Sequence, residues 1–180
     1  MRLAALVSIL ALAACQRDAP PQEPTEAAAP VLTVEGYGSV RIGMTLEQAR
    51  AATGAALDQG AGVTDEDAEY CQEQRWTLAD GDKLYLMFEQ NRLTRITADS
   101  GAPHVRTAEN VGVGSSDADV RGAYQGLIET PSEYSAPPAH DLIAWTKPDR
   151  TGIRFEVNEA GIVTQVHAGR ASILYVEGCA

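Results

Sequence analysis

Residues 42–50 read IGMTLEQAR, and about 70 positions later residues 113–121 read VGSSDADVR. In both stretches a hydroxyl residue, Thr45 or Ser116, is followed three positions later by glutamine or aspartate. This pattern is a capping box, which pairs two otherwise unpaired backbone N–H groups at the start of a helix. The two stretches therefore predict two short helices, the first ending near Gly54.

The similarity between the two stretches continues downstream in the same order. The first is followed by Trp76-Thr77, Phe88-Glu89 and Leu93 to Ile96, and the second by Trp145-Thr146, Phe155-Glu156 and Val163 to Val166. These matched residues, which we call anchors, recur at a nearly constant distance along the sequence and therefore indicate a duplicated unit. We expect the units to cover residues 36–102 and 107–180, with the two tryptophans in equivalent core positions.

Three strand-like runs separated by turn residues follow each predicted helix. They are Arg75 to Leu78, Leu84 to Glu89 and Arg92 to Thr97, then Leu142 to Thr146, Ile153 to Val157 and Ile162 to His167. A further strand is predicted from Ser172 to Glu177. Because a helix must cover the apolar face of each meander, the sequence predicts an α+β fold of two tandem repeats, each a short helix packed on an antiparallel β-meander.

Strand parity divides the side chains between the two faces of the predicted sheet. Leu84, Leu86 and Phe88 should face the helix, whereas Tyr85 and Met87 point away from it. Arg75 and Arg95 on the flanking strands are expected to share that second face. Aromatic residues, methionine and arginine are enriched at interface centres, so these four residues, Arg75, Tyr85, Met87 and Arg95, form the predicted partner surface. The alternative is that the other repeat covers Tyr85 and Met87.

The N-terminus has the layout of a secretory signal. About a dozen apolar residues, Leu3 to Ala14, follow Arg2 and end in Leu12-Ala13-Ala14-Cys15; a membrane-spanning helix needs ~20. This arrangement resembles the lipobox of bacterial lipoprotein precursors. The resemblance implies that residues 1–14 are a signal peptide and that Cys15 carries diacylglycerol and an amino-terminal acyl chain such as palmitate. Gln16 favours the outer membrane, facing the periplasm.

Residues 15–30 then form a predicted tether. Four prolines stand among alanine and glutamate, and no large apolar residue is present to bury. Residues 31–180 have the length and the aliphatic content of one folded domain.

The cysteine count indicates a disulfide. Once Cys15 is acylated, Cys71 and Cys179 remain as a pair in an oxidising compartment. The alternative is that both are metal ligands, which requires further cysteine or histidine partners. His104, His140 and His167 are scattered without ligand spacing, so we expect no metal ion and no other cofactor.

The net charge and the sequence motifs limit which classes of function are expected for this protein. The formal net charge of −11 disfavours nucleic acid or an anionic membrane surface as a partner, so membrane attachment is expected through the lipid alone. The acidic run from Asp65 to Glu69 lacks the pattern of a calcium loop. The glycine-serine stretches at 36–40 and 112–116 match neither a nucleophile elbow nor a dinucleotide-binding pattern, and the three histidines are interpreted as surface residues. No catalytic residue is predicted.

Gly-Met-Thr before a short helix, followed by tryptophan and a phenylalanine-containing meander, resembles the tandem architecture of the β-lactamase inhibitory protein and the related small outer-membrane assembly lipoproteins. The segment from Leu93 to Tyr124 also resembles an uncharacterised family of stress-regulated bacterial lipoproteins. The first resemblance implies a protein-binding sheet surface. We therefore expect a non-enzymatic, lipid-anchored envelope protein with another envelope protein as its partner. The alternatives are an envelope hydrolase acting on an exported substrate and a small-molecule or metal carrier.

Replacing Cys15 by serine should abolish acylation, because serine has no thiol to receive the diacylglycerol. Metabolic labelling with palmitate, followed by membrane fractionation, measures this. The Cys71→Ser chain is the matched control and should remain labelled. Normal membrane attachment of the Cys15→Ser chain would contradict the lipoprotein interpretation.

Overall fold

The structure is a computed structural model that describes residues 29–54, 57–59, 70–146 and 151–179. The predicted signal peptide, the predicted acylation site Cys15, most of the predicted tether and the acidic run from Asp65 to Glu69 lie outside the described residues. Within the described ranges, no helix combines the length and the apolar composition needed to cross a bilayer.

Two antiparallel sheets and two α-helices make up the described part of the chain. In chain order the elements are β1 (Leu32–Thr33), β2 (Gly36–Tyr37), β3 (Val40–Arg41), α1 (Leu46–Thr53), β4 (Asp58–Gln59), β5 (Cys71–Thr77), β6 (Lys83–Glu89), β7 (Arg92–Ala98), α2 (Asp117–Ala123), β8 (Ile128–Pro131), β9 (His140–Thr146), β10 (Thr151–Val157), β11 (Val163–Gly169) and a 3₁₀ helix (Ala171–Leu174). The predicted α+β class with antiparallel meanders is present.

The large sheet has eight strands in the order β4-β5-β6-β7-β11-β10-β9-β8, and every neighbouring pair is antiparallel. Strands β1 to β3 form the small sheet. The pairing of β7 with β11 therefore joins the meander that follows α1 to the meander that follows α2.

Both helices begin at the predicted capping boxes. The Thr45 and Ser116 hydroxyls each accept from the backbone N–H three residues later, and the side chain of that residue accepts from the cap backbone. The first helix ends at Gly54, whose φ of 59° lies in the left-handed region that glycine adopts without steric cost. Local hydrogen bonding thus sets where both helices start.

The segment before each helix is bonded to the last strand of its own meander. Gly43 N donates to Leu93 O at 2.7 Å, and Leu93 N donates to Met44 O at 2.8 Å. Gly114 N and Val163 O, then Val163 N and Ser115 O, are paired in the same way at 2.9 Å. The strand register is interrupted after Met87 in one meander and after Glu156 in the other.

The core lies between the helices and one face of the large sheet. Leu84, Leu86 and Phe88 are fully buried in it, as parity predicts, and Ala49 and Val120 are the buried helix residues that join them. Removing a phenylalanine side chain from such a core typically costs about 3–5 kcal/mol.

The register corrects the expected equivalence of the two tryptophans. Trp76 pairs with Leu84 and is buried on the helix side, where its ring makes an edge contact with Tyr37 at 5.9 Å. Trp145 pairs with Gly152, and the residue before it faces Ile153 instead. A shift of one residue reverses the face, so Trp145 lies half-buried on the other side of the sheet.

The C-terminal segment, residues 170–179, crosses the sheet face that is opposite to the helices. It leaves β11 at Gly169, where a Cβ atom would lie 2.1 Å from the Thr94 carbonyl oxygen, so only glycine fits. The strand predicted from Ser172 to Glu177 is wrong, because a 3₁₀ helix covers Ala171–Leu174 and residues 175–177 are not in a strand. The physical reason is that β11 already has strand partners on both edges and the chain cannot add another beside it.

Cys71 and Cys179 are joined, with 5.5 Å between their Cα atoms, which fastens the end of the C-terminal segment to β5. The pair predicted from the cysteine count is thus present in the structure.

Replacing Cys179 by serine should lower the melting temperature substantially, because the bond closes a loop with a sequence separation of 108. The chain-entropy model assigns such a loop about 4–5 kcal/mol, which corresponds to a fall on the order of 10 °C or more for a chain of this size. Thermal unfolding with and without reductant measures it, and the reduced wild-type protein should melt with the variant. Two free thiols in the unreduced wild-type protein would contradict the pairing.

Candidate functional site

The four residues of the predicted partner surface do share the sheet face opposite the helices. Arg75 pairs with Tyr85, and Met87 pairs with Arg95. The four residues differ in solvent exposure, and two of them are buried: Met87 is 1% exposed and Arg95 is 4% exposed. Tyr85 and Arg75 are half-buried. The expectation that Met87 and Arg95 contact a partner is therefore wrong for the folded domain.

The C-terminal segment is what covers this face. The Arg95 guanidinium donates to the Ser172 carbonyl oxygen at 3.1 Å and to the Tyr175 carbonyl oxygen at 2.8 Å, and its other nitrogen forms an ion pair with Glu73 at 2.9 Å. In the register Met87 lies between Glu73 and Arg95, so it is buried with them. The C-terminal segment lies within residues 107–180, the second predicted unit, so the expected alternative, cover by the other repeat, describes how Arg95 is covered.

A second buried arginine repeats this arrangement on β10. Arg154 donates to the Ile173 carbonyl oxygen at 2.9 Å and forms ion pairs with Asp141 and Glu156. Buried charges are stable only when they are paired and hydrogen-bonded, and removing one partner is strongly destabilising. Arg95 and Arg154 thus bind the backbone of the C-terminal segment on the side that faces the sheet.

A hydrogen-bonded chain of hydroxyl, imidazole and carboxylate lies beside these arginines. Thr97 Oγ1 and His167 Nδ1 are 2.9 Å apart, and His167 Nε2 and Glu156 Oε1 are 3.0 Å apart. Thr97 and His167 line a cavity of about 300 Å³. A nucleophile, a base and an orienting acid are the components of covalent hydrolysis. However, Thr97 lies in β7 and is paired on both edges, with Tyr85 of β6 and with His167 of β11.

That pairing occupies the backbone N–H groups near Thr97, so they are not available to stabilise an oxyanion. We therefore assign the chain of Thr97, His167 and Glu156 to the buried network and give it no catalytic role. His167 is not the surface residue that its sequence position predicts, because β11 is a central strand. His140 is also partly buried, bonded to Asp117 at 2.8 Å, whereas the His104 side chain is 74% exposed.

The outer side of the C-terminal segment carries an exposed apolar surface. Tyr134, Tyr175 and Val176 line one shallow depression of about 560 Å³ next to the disulfide, and we call these three residues the tyrosine patch. Tyr134 is 68% exposed and Tyr175 is 46% exposed. Two further exposed apolar residues, Leu174 and Tyr70, adjoin in sequence the residues that line the depression.

Glutamates surround the tyrosine patch. The Tyr175 hydroxyl donates to Glu89 at 3.1 Å, and the Tyr134 hydroxyl donates to Glu177. The nearby carboxylates raise the pKa of both phenols, Glu89 for Tyr175 and Glu177 for Tyr134. Sequence reasoning missed this surface because it interpreted residues 172–177 as a strand; three consecutive large apolar residues, 174–176, were the available signal.

One group of side chains has the composition of a metal site. Asp80, Asp82 and His104 each bring one ligand atom within 4.8 Å of the others. Ligand spacing along the sequence could not reveal this group, because His104 lies 22 residues beyond Asp82. Cys71 and Cys179 are joined to each other and are not its ligands.

No family model matches the chain, and no curated protein matches it. A solved structure with detectable similarity is an extracellular protein containing an SCP domain from Bacillus anthracis strain Ames. The sequence identity is 8% and the TM-score is 0.44, over 74% of this chain and 45% of that one. The chain thus spans less than half the length of the protein it matches.

The buried His167 should make stability depend on pH. Burial lowers its pKa from 6.5 to about 4, although the hydrogen bond to the Glu156 carboxylate acts in the opposite direction. Between these two values the unfolded chain binds a proton that the folded chain does not. The contribution is therefore fully present above pH 6.5 and is lost as the pH falls towards 4, by about 3 kcal/mol.

Urea unfolding at several values between pH 7 and pH 4 measures this loss. The His167→Gln protein should lose less stability over that interval than the wild type, because glutamine does not titrate. Equal losses of stability for the wild type and the His167→Gln protein would remove His167 as the cause.

Proposed function

We propose that this chain is a lipid-anchored protein of the bacterial cell envelope that binds another protein through the tyrosine patch. The observation that carries the proposal is the exposure of Tyr134, Tyr175 and Val176 on one surface. Groups of exposed apolar side chains rimmed by polar residues often mark interaction sites, and tyrosine is enriched at interface centres. The tyrosine patch takes the place of the binding surface predicted from strand parity, because Met87 and Arg95 of that surface are buried.

The C-terminal segment is well suited to present such a patch. Its inner side is bonded to the buried arginines and its end is fastened to β5, so its outer side is held in one conformation. A surface that is already ordered loses little conformational entropy on binding.

The charge around the patch favours a basic partner surface. Glu89 and Glu177 bond to the two tyrosine hydroxyls, and Glu133 precedes Tyr134. The whole chain has a formal net charge of −11. Complementary charge accelerates encounter and rejects partners of like charge. The proposed partner is therefore an envelope protein that presents lysine or arginine around an apolar centre.

The proposed location rests on the N-terminal sequence. Acylation at Cys15 and the tether at residues 15–30 would hold the domain on the membrane, and Gln16 favours the outer membrane. The disulfide supports a compartment outside the cytosol, because such bonds persist where the environment is oxidising.

We also infer that residues 36–102 and 107–180 descend from one duplicated unit. Both halves have a capping box, the same backbone bonds before the helix, and an interruption at the same point of the meander. The strand order is symmetric about the β7–β11 pair. These features support the proposed relation to the β-lactamase inhibitory protein and small outer-membrane assembly lipoproteins. Two of the anchors count against it: the tryptophans lie on opposite faces, and Phe88 pairs with Leu93 whereas Phe155 pairs with Val166.

Replacing Tyr134 and Tyr175 together by alanine should weaken partner binding on the order of 30-fold, the loss expected from truncating hot-spot residues. A photo-crosslinking residue at position 176 in living cells would capture the partner, and one at position 128 would serve as the control. The captured protein is then purified and its affinity for the wild type and the double variant is measured at two salt concentrations. Higher salt should weaken binding to the wild type.

Ile128→Ala is the matched control, because Ile128 is an exposed apolar residue on the edge strand β8 and does not line the depression. Both variants should melt within a few degrees of the wild type, since the altered side chains are exposed. Unchanged affinity in the double variant, or equal crosslinking from positions 128 and 176, would show that the patch is not the binding surface.

A further inference from the structure

Two loops that follow adjacent strands meet at one end of the large sheet. The turn between β5 and β6 closes with the Leu78 N–H donating to Asp82 O at 2.8 Å. The Asp82 carboxylate then accepts from the His104 backbone N–H at 2.9 Å, which ties the turn to the loop after β7. Asp80 Oδ1 accepts from the Asp82 N–H at 3.1 Å. The three side chains are therefore held in place before any ligand arrives.

The charge of this group is not balanced. The Asp82 carboxylate is buried, and Asp80 lies close to it. Among the described residues neither carboxylate forms an ion pair with lysine or arginine, and His104 is the only ion-pair partner that Asp82 has. Two adjacent carboxylates, one of them withdrawn from water, are stabilised by a cation placed between them.

The spacing suits a cation of small radius. His104 Nδ1 and Asp82 Oδ1 are 3.1 Å apart. Ligands at ~2.1 Å from a metal ion, the usual zinc distance to nitrogen and oxygen, stand about 3.0–3.4 Å apart in octahedral or tetrahedral geometry. Asp80 is exposed, and its carboxylate lies within 4.8 Å of the other two ligand atoms.

We propose that Asp80, Asp82 and His104 bind a divalent transition-metal ion of the zinc class. The imidazole nitrogen favours zinc and its neighbours, since calcium and magnesium take oxygen ligands. Three protein ligands leave at least one position for water or for a ligand of the metal.

The open side of the site faces a cavity of about 470 Å³ that is lined by Tyr37 and Trp76 together with Asp80 and His104. Burial raises the pKa of the Tyr37 hydroxyl, and Asp80 and Asp82 raise it further. Both carboxylates thus act on the same aromatic-walled cavity, and a bound cation would reverse their effect on Tyr37.

The test is calorimetric titration of the purified full chain, stripped of metal with a chelator, with ZnCl2 at pH 7. The wild type should bind one ion with a micromolar dissociation constant. Asp80→Asn and His104→Gln should each weaken binding at least about tenfold, because loss of even an outer-shell partner typically costs that much. Asp80→Asn preserves an oxygen that can accept from the Asp82 N–H, so this variant should fold normally.

His140→Gln is the matched control, because His140 is bonded to Asp117 at 2.8 Å but belongs to no group of three ligand residues in the described part of the chain. It should bind zinc as the wild type does. Zinc should also raise the melting temperature of the wild type and of His140→Gln, and raise it less for the two site variants. CaCl2 should bind more weakly than ZnCl2.

A wild-type dissociation constant weaker than about 1 mM would overturn the proposal, since such affinity is within the range of unspecific surface binding. Zinc binding that survives both site variants, or that is lost in His140→Gln, would overturn it as well. In each of these cases the Asp82–His104 contact is only a hydrogen bond that fastens two loops.

Discussion

Two buried guanidinium groups hold the C-terminal segment against the large sheet, and the surface that the domain presents depends on that contact. Arg95 and Arg154 rise from neighbouring regions of the same face and donate to carbonyl oxygens of residues 172, 173 and 175. Carboxylates at Glu73, Glu156 and Asp141 balance their charge. A buried arginine without such partners would be strongly unfavourable. The segment and the arginines therefore stabilise each other, and the disulfide fastens the same segment at its end.

This contact decides which surface the proposed partner would meet. The face that parity assigns to binding is already occupied by the protein's own C-terminal segment, so the exposed aromatic side chains are on the outer side of that segment. The same cover withdraws His167 from solvent and lowers its pKa, which leaves a neutral imidazole bonded to Thr97 and Glu156. The proposed binding at the tyrosine patch and the expected acid sensitivity of the fold would thus have one structural origin.

The proposed metal site lies on another part of the domain and rests on different contacts. It depends on the meeting of the β5–β6 turn with the loop after β7. Its ligand set mixes one exposed histidine with one buried and one exposed aspartate. A metal ion there would stiffen the two loops beside Tyr37 and Trp76 without touching the tyrosine patch, so the two proposals stand or fail separately.

Local patterns in the sequence were enough for the helix starts, the α+β class, the strand parity around Leu84 to Phe88 and the cysteine pair. These features depend on residues a few positions apart, on alternation, or on counting, all of which are visible in one dimension. The burial of Arg95, the reversed face of Trp145 and the meeting of Asp82 with His104 depend on which strands become neighbours and on where the chain crosses the sheet. Arg95 is covered by carbonyl groups 77 and 80 residues away. No local signal encodes such a contact, because its energy arises only when the completed sheet brings the two segments together.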